Sequence, residues 1–303
     1  MESTSQLAQY VRASVLALAR NSEVPWQKIA QDLLLLRGSD STVEWNLVSK
    51  ELPWSQLGTP AFAETFAQGS LFSVDQFQIA GLESALEELE ALRAVGAFMA
   101  LCCDSEFPSQ LLDTKQTLPF IFYAGHVEPN DTNGVAIIGT RSASGPAMDA
   151  AARFASTLAD QGRTVVSGLA SGIDTAALKS ALRSQGRAVA VIGTGITKVY
   201  PPENALLQSE IAERGLLISQ FLPTASPTKT SFPMRNAVMS AYAKASLVIQ
   251  ADDRSGARLQ ARIAAEQGRD VYLYEPVMKH EAWAKVMANK GHAKFITDVS
   301  GIG

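Results

Sequence analysis

From Val135 onward the chain alternates two kinds of segment. Short apolar runs recur six times: VAIIG at Val135, TVVSG at Thr164, AVAVIG at Ala188, LLIS at Leu216, SLVIQ at Ser246 and VYLY at Val271. Between most of them lie longer stretches with helical spacing. In PAMDAAARFASTLADQG, for instance, Met148, Ala152, Ala155 and Ala159 share one face. Strands apolar on both sides are covered on both sides, and strands alternating with helices make a parallel sheet. The pattern predicts an α/β fold with a doubly wound, mostly parallel sheet.

The first hundred residues carry a different period. QLAQYVRASVLALA (Gln6–Ala19) places Leu7, Val11, Val15 and Leu18 at helical intervals. PWQKIAQDLLLLRG opens on Pro25, well suited to a first helical turn, and ends at Gly38; ESALEELEALRAVG (Glu83–Gly96) is a third helix. FMALCC (Phe98–Cys103) reads as a buried strand and Phe120–Tyr123 as a second, short one. The expected division is a small helical N-terminal domain over 1–97 and a sheet-bearing domain over 98–303. VEPNDTNG (Val127–Gly134) forms a polar, turn-rich seam before the strand–helix rhythm begins.

Composition narrows the function classes. With 303 residues, 47% of them hydrophobic and 18% charged, the chain can bury a sizeable core. No apolar run approaches the ~18 residues of a membrane span, so no membrane association is expected. The N-terminus lacks the basic-then-apolar layout of a secretory signal, and the two cysteines, Cys102 and Cys103, are adjacent; a cytoplasmic location is expected. Three scattered histidines and no spaced Cys/His set give no reason to expect a metal site. The net charge of −4 conceals an asymmetry: residues 1–130 balance to −9 and residues 131–303 to +5. An acidic total argues against a nucleic-acid partner, and the split weakens that argument for the second half.

In a doubly wound sheet ligands sit beyond the C-terminal ends of the strands. After the first run comes GTRSASG, with Gly139, Thr140, Arg141 and Ser142; after the second, SGLASGID, with Ser167, Gly168, Gly172 and Asp174. After the third comes GTGITKVYPPEN, with Gly193, Gly195, Lys198 and Tyr200. SFPMRNA adds Phe232, Arg235 and Asn236, and DRSGARLQA repeats a Ser-Gly entry into a helix at Ser255 and Gly256. Glycine at one such turn often serves backbone geometry alone. Several turns on one sheet edge, with Arg141, Lys198 and Arg235, point to a phosphate-bearing ligand. Asp174 is expected to close its own turn on free amides. Phe232 and Tyr200 are candidates to stack a base, against the default of burial. Neither the dinucleotide fingerprint nor the phosphate-loop signature is present, and no acid/base pair is spaced for proton transfer. Binding is expected, with neither catalytic residues nor a cofactor.

Taken in order, GTRSAS, SGLASGIDTAAL, AVIGTGITKVYPPEN, FPMRN and RSGARLQARIAAEQGRDVY resemble motifs of the DprA/Smf family of DNA-processing proteins. DSEFPSQLLDTKQTLPFIFYAG resembles that family's lead-in, and the likeness covers about Asp104 to Tyr274. It implies an extended Rossmann-like fold that binds single-stranded DNA without hydrolysing anything, forms a homodimer and delivers the strand to a RecA-type recombinase in natural transformation. The implied pocket holds Arg141, Lys198, Arg235 and Asn236, shaped by Gly139, Ser167, Gly168, Gly172, Gly193 and Gly195.

This chain departs from the family pattern at Leu178, Gln220, Ala237, Gln250, Ala257, Gln260 and Val277, departures expected to cluster at the pocket. A winged helix like that of many members is not expected after Gly303. The alternative is a sensor binding a small nucleotide or nucleotide-derived signal in the same pocket; a nucleotide-cleaving enzyme is the third reading. Arg141 and Arg235 are expected to converge at the sheet edge and meet phosphate. Otherwise Arg235 ties down its own loop through neighbouring carbonyls.

Overall fold

A computed structural model describes residues 2–20, 25–34, 80–112 and 117–303. The chain divides into two units, Met1–Phe122 and Tyr123–Gly303.

In the first unit, α1 (Glu2–Ala19) buries Val11, Val15 and Leu18 of the expected stripe, while the side chain of Leu7 lies outside those described. α2 (Trp26–Leu34) starts just after Pro25, whose carbonyl accepts from the amides of Lys28 and Ile29. Its expected continuation to Gly38 lies outside the described residues. α3 (Leu82–Ala94) packs on α1. β1 (Ala97–Leu101) is shorter than the apolar run suggests, because Cys102 and Cys103 enter a turn in which the Asp104 amide donates to the Leu101 carbonyl at 2.8 Å. Arg12 ties α1 to this turn, donating to the Met99 carbonyl at 3.1 Å and to the buried Asp104 carboxylate at 2.8 Å. The division between units falls within β2 (Phe120–Gly125).

In the second unit, β3 (Val135–Gly139), β4 (Val165–Ser167), β5 (Ala188–Val191), β6 (Leu216–Ser219), β7 (Ala245–Gln250) and β8 (Asp270–Tyr274) occupy the six apolar runs. Another strand, β9 (Lys294–Ile296), escapes the pattern because only one of its three side chains is fully buried. These strands lie in the order β6-β5-β4-β3-β7-β8-β9, and every pairing among them is parallel. The crossovers are α4 (Gly145–Asp160), α5 (Ile173–Arg183), α6 (Ala205–Arg214), α7 (Ser231–Tyr242) and α8 (Gly256–Glu266). α4 packs on α5 and α7 on α8. Right-handed connections put α4, α5 and α6 on one face and α8 on the other.

From β3 the chain builds outward through β4, β5 and β6, then returns to lay β7 along the other side of β3. This reversal opens a crevice beyond the C-terminal ends of β3 and β7. The opposite ends of the strands are held by one buried carboxylate. Asp131 accepts from Thr164 Oγ1 (3.0 Å), Arg187 Nε (2.6 Å), Arg187 Nη2 (2.8 Å) and the Tyr242 hydroxyl (2.8 Å). Thr164 and Arg187 lead into β4 and β5, and Tyr242 ends α7, so Asp131 joins three segments below the sheet. The polar segment 127–134 thus contributes to the interior of this unit.

Candidate functional site

A cavity of about 340 Å³ opens at the switch point, between the loop after β3 and the loop after β7. Eight of the candidate binding residues line it, Gly139, Thr140, Arg141, Phe232, Arg235, Asn236, Ser255 and Gly256, together with Asp174 and Gln260. Ser142, Ser167, Gly168, Gly172, Gly193, Gly195 and Lys198 do not. The two loops are joined directly. The Thr140 amide donates to the Gln250 carbonyl at 2.7 Å, and Gln250 Oε1 accepts from the Ser144 amide at 2.9 Å.

Most of the glycines serve close packing within the protein. A Cβ on Gly139 would strike Ile173 of α5, and one on Gly193 would come within 2.8 Å of the Phe232 ring. A Cβ on Gly195 would collide with the Leu222 and Pro223 carbonyls. Gly172 has φ +78°, and a Cβ there would lie 2.6 Å from the carbonyl oxygens of Thr140 and Arg141. Ser167 is likewise turned inward, its hydroxyl donating to the Ile137 carbonyl at 2.7 Å. Gly256 alone of these has open space around it, its nearest neighbour being Asn236 Nδ2 at 3.8 Å.

The turn after β4 is closed from within. Asp174 Oδ2 accepts from the Gly168 amide at 3.1 Å and from the Ala170 amide at 3.4 Å. Asn204 donates to the Leu169 carbonyl at 2.9 Å, holding Leu169 at φ 58°, and Ser171 donates to Glu203 at 2.8 Å. The YPPEN segment therefore acts as a brace for this turn. Burial pushes the Asp174 carboxyl above the usual carboxylate range, with Arg235 opposing.

Arg235 reaches the cavity from α7 but is only 5% exposed. Nη1 donates to the carbonyls of Gly168 and of Val191 (2.8 Å), and Nε to Asn236 Oδ1 (2.9 Å). Burial lowers its pKa to about 10, with Asp174 opposing and Arg141 adding to the fall, so it stays charged at neutral pH. The expectation of a guanidinium free for phosphate is corrected for Arg235: carbonyls at the ends of β4 and β5 hold it.

Arg141 behaves differently. It is exposed, and its guanidinium carbon lies 4.8 Å from the centroid of the Phe232 ring, a cation–π contact. Phe232 in turn meets Tyr200 at 5.6 Å between centroids. Both rings are half-buried, so their apolar bodies are held while part of each remains open. Ser255 caps α8, its hydroxyl accepting from the Ala257 amide at 3.2 Å. Lys198 is exposed but outside the cavity.

Against this geometry, the sequence model of the DNA recombination-mediator protein A family matches residues 98–302. The chain belongs to that family. Protein Smf of Synechocystis is 36% identical over 173 residues, which cover 56% of this chain and 44% of that protein. The chain spans about half the length of the curated relatives it matches. Among solved structures, DNA processing protein A of Streptococcus pneumoniae superposes with a TM-score of 0.63 at 25% identity, covering 78% of this chain and 88% of that one. DNA processing protein A of Helicobacter pylori gives 0.60 at 26% identity, covering 67% and 92%; that structure is described for its single-stranded DNA binding mode.

Within this DNA recombination-mediator protein A family member, the positions read as departures divide between the cavity and the rest of the unit. Leu178 is packed in α5, and neither Gln220 nor Ala237 lines the cavity. Gln250 ties the two loops together, and of the seven positions Ala257 and Gln260 line the cavity. The sequence reading passed over Arg254 and Asp252, which also line it. Their position just after β7, directly opposite the loop after β3, was the available signal.

Proposed function

We propose that this chain binds single-stranded DNA without regard to base sequence, as a non-enzymatic binder in DNA processing or recombination. The observation that carries this reading is the Arg141–Phe232–Tyr200 stack beside the switch-point cavity. It sets a cation next to two aromatic faces, and a single strand offers phosphates and base faces in alternation. Exposed Arg254 and Lys198 add positive charge, and the +5 balance of residues 131–303 favours a polyanion. The binding mode described for the Helicobacter pylori relative supports the same reading. In this reading the chain acts in the cytoplasm as a homodimer and passes the strand to a RecA-type recombinase. Light scattering should then return twice the 32.4 kDa chain mass.

The test is a titration of labelled oligo-dT at several salt concentrations, beside a panel of free nucleotides. Affinity should fall steeply with salt as Lys and Arg displace condensed counterions. Salt-insensitive binding, or none at low salt, removes the reading. The cavity of about 340 Å³ lies within the range of small-ligand sites, which favours a nucleotide sensor as the second reading. Tight binding of one free nucleotide without oligo-dT binding would select it.

A further inference from the structure

A second cavity, of about 1020 Å³, lies in the second unit between α8 and a further helix, α9 (Ala282–Asn289). Its floor is apolar, with Leu259 and Ala265 of α8 on one side and Trp283, Val286 and Met287 of α9 on the other. Trp283 is buried and its indole N–H donates to the Ala251 carbonyl at 3.2 Å, so the ring offers the groove carbon and no free donor. Val286, by contrast, is 52% exposed, and Leu259 and Met287 are half-buried. Apolar surface held open in this way is recovered from water only by something that covers it.

The rim is charged, and its charges do not cancel. Arg258 pairs with Asp253 at 2.8 Å and Arg262 with Glu266 at 3.5 Å, which uses both carboxylates that line the groove. Arg254 and Lys290 also line it, are exposed, and make no ion pair with any described residue. Two surplus cations beside an apolar trough favour a ligand that is an anion at one end and hydrocarbon along its body. An inorganic anion leaves the trough uncovered. A polyanion brings charge onto Leu259, Val286 and Met287, and a cationic amphiphile meets repulsion at the rim.

We propose that the groove between α8 and α9 binds a free anionic amphiphile, of the class of the long-chain carboxylates. The carboxylate answers the charge of Arg254 and Lys290, and the alkyl chain covers Leu259, Trp283, Val286 and Met287. This site is distinct from the switch-point cavity, with which it shares only the wall formed by Arg254, Ser255 and Gly256. It stands or falls independently of the single-stranded DNA reading.

The experiment titrates the full chain by calorimetry with monomeric dodecanoate, decanoate and octanoate, with dodecyltrimethylammonium, and with phosphatidylglycerol vesicles. One dodecanoate should bind per chain, with affinity falling about fourfold for each methylene removed. The cationic amphiphile should bind about tenfold more weakly than dodecanoate. The double variant Arg254→Ala/Lys290→Ala should lose about tenfold for dodecanoate, and Val286→Asn about threefold. All three substituted positions are exposed, so both variants should fold. Unchanged dodecanoate affinity in the double variant, or equal binding of the cationic amphiphile, overturns the proposal. So does a chain that fails to bind dodecanoate, or one that binds only the vesicles, which would reassign the groove to a membrane surface.

Discussion

The Arg235 guanidinium occupies the space that a Cβ on Gly168 would need. From α7 it donates to the Gly168 and Val191 carbonyls, joining the ends of β4 and β5. Truncation leaves two carbonyls unpaired and the buried Asp174 without its neighbouring cation. Arg235→Ala is expected to cost about 3 kcal/mol of stability, seen as a lower urea midpoint. An unchanged midpoint would mean that the guanidinium is dispensable to the fold.

Arg141 should show the opposite signature. It is exposed and rests on the Phe232 ring at 4.8 Å, with no role in joining strands. Arg141→Ala is expected to leave the melting temperature unchanged while weakening oligo-dT binding by about 1–3 kcal/mol and lowering the salt slope by about one. A fall in melting temperature with no change in affinity would reassign Arg141 to the scaffold.

Two glycines separate packing from access. Gly172→Ala places a Cβ against the Thr140 and Arg141 carbonyls at φ +78°, and is expected to destabilise by about 2 kcal/mol or more. Gly256→Ala enters open space at the start of α8 and should be nearly neutral for stability, while narrowing the cavity and weakening oligo-dT binding. Thermal melting paired with anisotropy tests both, and equal melting temperatures for the two variants would contradict the packing account.

Asp131 sets an acid limb. Burial alone would raise its carboxyl, but the Arg187 hydrogen bonds and charge, together with the Tyr242 hydroxyl, outweigh it and hold the carboxyl below its ordinary range. A depressed folded-state pKa contributes stability above the unfolded value of about 3.9, and that stability is lost as pH falls through the folded value. Asp131→Asn should therefore cost about 3 kcal/mol at neutral pH, with the difference from the parent shrinking below about pH 4. Urea midpoints measured from pH 7 to pH 3 check this; a difference that stays constant with pH would refute it.

The α/β architecture was legible in the six apolar runs because a parallel sheet buried on both faces needs continuous apolar strands. β9 was not, since three residues with one buried side chain leave no period to read. The helix positions of Val11, Val15 and Leu18 followed from spacing alone. The strand-end turns were also legible as a set, because a doubly wound sheet gathers them on one edge.

What each turn residue does there was decided only by tertiary contacts. GTRSASG and FPMRN each display an arginine after an ordered motif, yet Arg141 lies exposed on Phe232 while Arg235 lies buried on two carbonyls. Local sequence encodes the turn and its charge; which carbonyls come within reach of that charge depends on how α7 is laid against β4 and β5. The glycines follow the same division. Their identity marks tight backbone, but only packing reveals that Gly139, Gly172 and Gly193 face protein while Gly256 faces open space. The polar segment VEPNDTNG gave no sign of a role for Asp131: its partners Thr164, Arg187 and Tyr242 are distant in sequence, and only the folded sheet brings them to one carboxylate.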